Sequence, residues 1–163
     1  MAEFKVWQTI TMGVGWCGDS FFMENSRSYS DRVDLTPEAD EMVSKLRGVT
    51  ENLTLDLFLL RPGQFGIESN SSIDQILTAA VQAGLESCPR ELAPYLLIKD
   101  KVAYGETFLV GMRPIFIRRG STSCVSTFYV NRPYRRLEHR CCCEGQVFCE
   151  RYSTWLFVMT RKA

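Results

Sequence analysis

The chain has 163 residues and a mass of 18.7 kDa, enough for one domain of ordinary size. Apolar residues make up 45 % and charged residues 23 %, which excludes wholesale disorder. Lys plus Arg is 19 and Asp plus Glu is 19, which excludes a generally cationic nucleic-acid binder and a polyacidic tail.

Phe4 to Met12 alternates in a β-branched and aromatic run and predicts the first strand. Gly13, Gly15 and Gly18 break it. Residues 17–35 are rich in Ser, Asn and Asp and predict a long loop with a short element around Phe21–Met23. Thr36-Pro37 opens a helix, with Thr36 as cap and Pro37 in the first turn. Ala39, Met42, Val43, Leu46 and Val49 recur at helical spacing, and Gly48 suits its end.

Leu53 to Leu60 predicts a strand apolar on both faces, hence central or covered by a helix. Ser71-Ser72, with Asp74 and Gln75, predicts a capping box for a second helix. Ile73, Ile76, Leu77, Ala80 and Val81 form its stripe, and Gly84 suits a left-handed end. From Tyr95 the period changes to two. Strands are predicted near 95–99, 106–112, 114–119, 124–130, 145–149 and 153–160. Short turns join several of them, so antiparallel pairing is expected. The expected class is α+β in one domain, residues 1–163, with two amphipathic helices packed on a largely antiparallel sheet.

The segment Gly84-Leu-Glu-Ser-Cys-Pro-Arg-Glu-Leu-Ala-Pro94 resembles the signature of a family of uncharacterised proteins of uncultivated small-genome bacteria. The shared positions are Gly84, Leu85, Glu86, Cys88, Pro89, Glu91 and Pro94. Gly105-Glu106 through Met112-Arg-Pro114-Ile115 is similar to the stretch that follows in the family. Val6-Trp7-Gln-Thr9-Ile10 and Trp155-x-Phe157-Val158 are similar to its two ends. Ser87 departs from the family's Leu, and the Arg- and Cys-rich segment 132–149 lies outside the pattern. The resemblance implies no activity and no catalytic residue. The residues themselves read as a structural corner. Gly84 caps, Cys88 is a small buried hydrophobe, Pro89 fixes the turn and Glu91 bonds backbone amides of the connection. A nucleophilic Cys88 is the alternative and needs a base, of which the chain's one histidine is a candidate.

Seven cysteines, an odd number, fit a reducing compartment, and Met1-Ala-Glu-Phe-Lys does not read as a secretory signal. Cytoplasmic residence is therefore expected, without a membrane partner. His139, Cys141 and Cys143 share one side if their segment is extended, and Cys149 follows. That set is a candidate structural zinc site, although it lacks the paired Cys-x-x-Cys spacing. The alternatives are a run of thiols in a partly buried hairpin, or a redox-sensitive cluster. No cofactor is otherwise expected. Gly13-Val-Gly-Trp-Cys-Gly18 lacks the Lys-Ser/Thr of a phosphate loop and reads as a turn. Asp19, Glu24, Asp31 and Asp34 read as solvated loop carboxylates, with acid–base work as the alternative.

The charge balance is uneven along the chain. Residues 1–82 carry 6 basic and 12 acidic side chains, and residues 83–163 carry 13 basic and 7 acidic. Basic strands can answer the acidic half within one fold, or form a patch for an acidic partner or polyanion. Tyr129, Arg132, Tyr134, Arg135 and Arg136 interleave aromatic and guanidinium groups around Pro133, with Arg118 and Arg119 upstream. The expected function is a non-catalytic interaction module whose Arg-rich surface, 113–140, meets a protein partner. The alternatives are a nucleic-acid-binding accessory protein using the same arginines, and an enzyme with a cysteine or loop-carboxylate site.

Overall fold

The computed structural model describes residues 3–27, 31–67, 69–103, 105–119, 122–142, 148 and 154–161. Leu53–Leu60 forms β3, whose leucines at 55 and 57 point to one side and Phe58 and Leu60 to the other. A strand apolar on both faces needs cover on both, and that requirement organises the fold. β3 pairs antiparallel with β1 (Gln8–Met12) on one side and β8 (Trp155–Thr160) on the other. β4 (Thr107–Val110) runs parallel to β8 and antiparallel to β6 (Thr122–Asn131). β7 (Arg136–Cys141) pairs antiparallel with β6, and the short β2 (Asp34–Leu35) closes that edge in parallel. β5 (Ile115–Arg119) pairs with the first part of β6, along the edge that β4 takes further on. The eight strands form one mostly antiparallel sheet, and the class is α+β.

Among the described residues four helices complete it: α1 (Gly18–Arg27), α2 (Pro37–Ser44), α3 (Ile73–Gln82) and α4 (Leu92–Ile98). Helices α1, α2 and α4 bury Phe21, Met42 and Leu96 on the first face, against Leu57, Phe128, Val130 and Leu137. Helix α3 and a 3-10 turn at Pro62–Phe65 bury Ile76, Ala80 and Phe65 on the second face, against Phe58, Trp155 and Phe157. Each such side chain contributes about 1.5–3 kcal/mol on leaving water. The second cover lies over β3, β8 and β4 and reaches Tyr129 of β6 and Cys142 beyond β7.

The caps follow the sequence. Thr36 Oγ1 accepts the Ala39 amide at 3.3 Å. Ser72 Oγ accepts the Gln75 amide at 3.3 Å, and Gln75 Oε1 accepts the Ser72 amide at 2.9 Å. Gly84 adopts the left-handed conformation, φ 91°. At Gly111, between β4 and β5, a Cβ would run into the Phe157 ring, so only glycine fits.

Three expectations are corrected. Residues 18–27 are helix α1, not loop. The helix carries its apolar residues as one run, Phe21 to Met23, rather than at helical spacing; it is held because Phe21 is buried and Asn25 brackets Val33, donating to its carbonyl at 3.0 Å and accepting its amide at 2.9 Å. Residues 95–98 belong to helix α4, not a strand. Leu92, Ala93, Pro94, Leu96 and Leu97 are all buried, and a helix apolar all round leaves no 3.6-residue signal. Residues 136–141, outside the expected strands, form β7 in the sheet. The strand expected at 145–149 lies outside the described residues, apart from Phe148, which bridges to Ser71. Among the described residues no helix is long and apolar enough to cross a membrane.

Candidate interaction surface

The register of β5, β6 and β7 sorts the basic region into two sets. Ile117, Cys124, Phe128, Val130, Leu137 and His139 face the helices. Phe116, Arg118, Val125, Tyr129, Arg136 and Arg140 alternate with them on the second face. That half of the second face is not covered by α3.

Phe116 and Val125 stand directly opposite each other across the β5–β6 ladder, 55 % and 37 % exposed. Arg118 follows two residues along on the same face and is exposed. Among the described residues no carboxylate pairs with its guanidinium; its backbone amide donates to Glu41 Oε1 at 3.1 Å. Across the sheet, Arg140 lies over the Tyr129 ring at 4.6 Å. The Arg136 guanidinium lies 5.8 Å from the Tyr134 ring, which is 71 % exposed. Arg136 Nε also donates to Asp34 at 3.1 Å, and Glu138 accepts from Asn131 at 2.9 Å. The face is apolar at one end and carries Arg118, Arg136 and Arg140, with Glu138 between the last two.

The edge of the same unit is closed. Lys45 reaches round from the end of α2, donates to the Phe116 carbonyl at 2.6 Å and lies over the Phe116 ring at 5.7 Å. With Glu41 on the Arg118 amide, two side chains of α2 occupy backbone groups that an added strand would need.

The other predicted arginines turn inward. Arg132 donates to the Val102 carbonyl and to Asp100 Oδ1, both at 3.0 Å. Arg135, in a left-handed turn at φ 46°, donates to the Asp31 carbonyl at 2.6 Å and to the same Asp100 oxygen at 2.9 Å. Their side chains keep only 19 % and 17 % of their accessible surface. These two contacts neutralise charge within the fold. Arg119 closes β5, and its side chain lies outside the described residues.

The predicted zinc set is only partly in view. His139 and Cys141 lie on the helix-covered face of β7; Cys143 and Cys149 lie outside the described residues. His139 Nδ1 is 3.8 Å from Glu38 Oε2, and Cys141 Sγ is 2.6 Å from Cys124 Sγ. Among the described residues no group of three His, Cys, Asp or Glu side chains gathers as metal ligands.

The corner at 84–94 lines a separate groove of about 520 Å³, shared with Arg113 and the ends of β3 and β8. Glu86 pairs its backbone with Val158 and accepts the Thr160 amide and hydroxyl at 3.1 and 2.9 Å. Arg90 donates to the carbonyls of Arg113 and Pro114 at 2.9 and 2.6 Å. Cys88 is buried, its amide donates to Gly111 at 2.7 Å and its thiol to the Leu156 carbonyl at 3.2 Å. Burial pushes that thiol's pKa well up, so it stays protonated and serves packing. Glu91, expected to bond backbone amides, makes no such cap with its side chain. Cys17, just before α1, behaves in the opposite way. The Ser20 backbone amide and then its hydroxyl lower its pKa. Two of the four carboxylates read as loop residues are ion-paired: Glu24 with Lys99, and Asp34 with Arg136.

No family model, curated protein or solved structure matches the chain. Sequence reading found Arg118, Tyr129, Arg136 and Tyr134 but missed Phe116, Val125 and Arg140. The signal for them was the alternation within 115–119 and 123–126, which becomes a surface only once the missing third strand, β7, is in register.

Proposed function

We propose that this protein is a non-catalytic interaction module, and that the open face of β5, β6 and β7 receives an acidic segment of a protein partner. One observation carries the reading: an exposed Phe116–Val125 pair beside Arg118, on a sheet whose other aromatic side chains are nearly all covered. Exposed apolar area rimmed by cations is characteristic of recognition surfaces, with aromatic and arginine anchors at the centre. Charge chooses the partner: among the described residues no carboxylate is ion-paired with the Arg118 or Arg140 guanidinium, and Lys45 stands at the rim. The odd cysteine count supports cytoplasmic residence.

The second reading is binding of single-stranded nucleic acid by the same face. It draws on Arg140 over Tyr129 and Arg136 beside Tyr134, since stacked aromatic and guanidinium planes suit bases and phosphates.

Fluorescence anisotropy separates the two. The full chain is titrated into a labelled peptide alternating Glu with Leu and Phe, and into a labelled single-stranded RNA, at two salt concentrations. The proposal expects the peptide to bind, and the Phe116→Ala variant to weaken it about tenfold. RNA binding that falls steeply with salt while the peptide stays unbound transfers the face to the second reading. Binding of neither overturns both.

A further inference from the structure

Seven cysteines in one chain raise the question of which can react with each other. Register answers it for two of them. Ser126 lies opposite Cys141 in the β6–β7 ladder, and Cys124 lies two residues along β6 on the same face. The two sulfur atoms are 2.6 Å apart, closer than two unbonded thiols ordinarily pack, and both are present as thiols. A disulfide needs about 2.05 Å, so the two sulfur atoms stand about half an ångström beyond bonding distance, and closure also draws the diagonal pair's backbones together. Both side chains are half-buried, within reach of solvent. The neighbouring thiols have other surroundings. Cys142 is buried on the opposite face with Trp155, Cys88 donates to Leu156, and Cys17 sits by Ser20.

We propose that Cys124 and Cys141 are an oxidative modification site, joined as a cross-strand disulfide by exchange with a small-molecule disulfide. The chemistry balances in two steps. The thiolate of one cysteine attacks a sulfur of the small disulfide, whose S–S bond breaks. One small thiol leaves, carrying the proton the cysteine gave up, and a mixed disulfide remains. The second cysteine, as thiolate, attacks the first cysteine's sulfur. The Cys124–Cys141 bond forms and the second small thiol leaves with the second proton. The two protein thiols lose two electrons, and the small disulfide gains them.

The bond staples β6 to β7, the two strands that carry most of the open face, and closes the loop through Arg132–Tyr134 and Arg135. Constraining that loop in the unfolded chain raises stability. Oxidation thereby stiffens the interaction surface without touching its side chains, which lie on the other side of the sheet. The inference stands apart from the identity of the partner.

The test uses the full chain, folded, incubated with oxidised glutathione and then quenched with an alkylating agent in acid. Trypsin isolates Cys124 in peptide 120–135 and Cys141 in peptide 141–151. The expected result is a mass loss of about 2 Da on cross-linking, with these two peptides linked to each other. The thermal midpoint is expected to rise by about 5–10 °C. Because peptide 141–151 also carries Cys142, Cys143 and Cys149, each is changed to Ser in turn. The link must survive those three variants and vanish in Cys141→Ser. A Cys124 that remains fully alkylated in the oxidised wild-type chain overturns the proposal. So does a link that persists in Cys141→Ser. Both readouts come from peptide masses, and the first needs no variant to fold.

Discussion

The second face of the sheet has two halves with the same strand geometry and different fates. Over β3, β8 and β4 it carries Phe58, Leu60, Leu109, Trp155 and Phe157, and α3 with the 3-10 turn seals them. Over β5, β6 and β7 it carries Phe116, Val125, Arg118, Arg136 and Arg140, beyond the reach of that cover. An alternating strand only sorts side chains into two sets; what stands over each set decides whether it becomes core or surface. Phe157 and Phe116 are the same residue on the same face, one sealed and one 55 % exposed. The covered half holds the fold together, and the open half keeps Phe116 and Val125 in contact with solvent.

The largest contrast should appear between those two phenylalanines. Phe157→Ala empties a sealed site and is expected to cost about 3–5 kcal/mol in urea unfolding. Phe116→Ala loses one cross-strand pair at the surface and should cost no more than about 1 kcal/mol. Equal losses would mean that Phe116 is structural and the comparison false. Gly111→Ala comes next. The added methyl collides with the Phe157 ring, and the expected loss is about 1–3 kcal/mol, with near-ultraviolet circular dichroism reporting disturbed aromatic packing.

Asp100→Ala sharpens the division among the arginines. It removes the shared carboxylate of Arg132 and Arg135, but Asp100 is itself 62 % exposed, so screening limits the loss to about 1 kcal/mol. Anisotropy with the acidic peptide should be unchanged, because those two arginines do not belong to the open face. The smallest effect concerns acid. Arg161, and after it Thr9, bond the Asp56 carboxylate and lower its pKa. A carboxylate depressed in the folded state gives stability that is present at neutral pH. That stability is lost as pH falls below about 4 and through the lowered value. Asp56→Asn should therefore flatten the fall in thermal midpoint below pH 4, relative to the unsubstituted chain.

Much of this was legible in the residues before the structure. The two capped helices announced themselves through Thr36-Pro37 and Ser72 with Gln75, because a cap is a local hydrogen bond between near neighbours. β3 declared its two-faced burial through its leucines and Phe58. Helices α1 and α4 escaped for different reasons: α1 bunches its apolar residues at Phe21 to Met23 instead of spacing them, and α4 is too apolar to show a polar side. In each, contacts from distant chain override local pattern. The interaction surface was half legible. Arginines and tyrosines around Pro133 were visible as a cluster, but local order cannot say which guanidinium meets Asp100, far away in the chain. Nor does sequence distance show that Cys124 and Cys141 are neighbours, since that follows from the register of β6 on β7.

The most direct test of the account is to titrate the labelled acidic peptide into isotope-labelled protein and follow backbone amide shifts by NMR. The account predicts shifts concentrated at residues 116–118, 123–125 and 136–140, with the amides of Arg132, Arg135 and the 86–91 corner unmoved. Shifts centred on that corner, or on the covered half around Phe157, would contradict it.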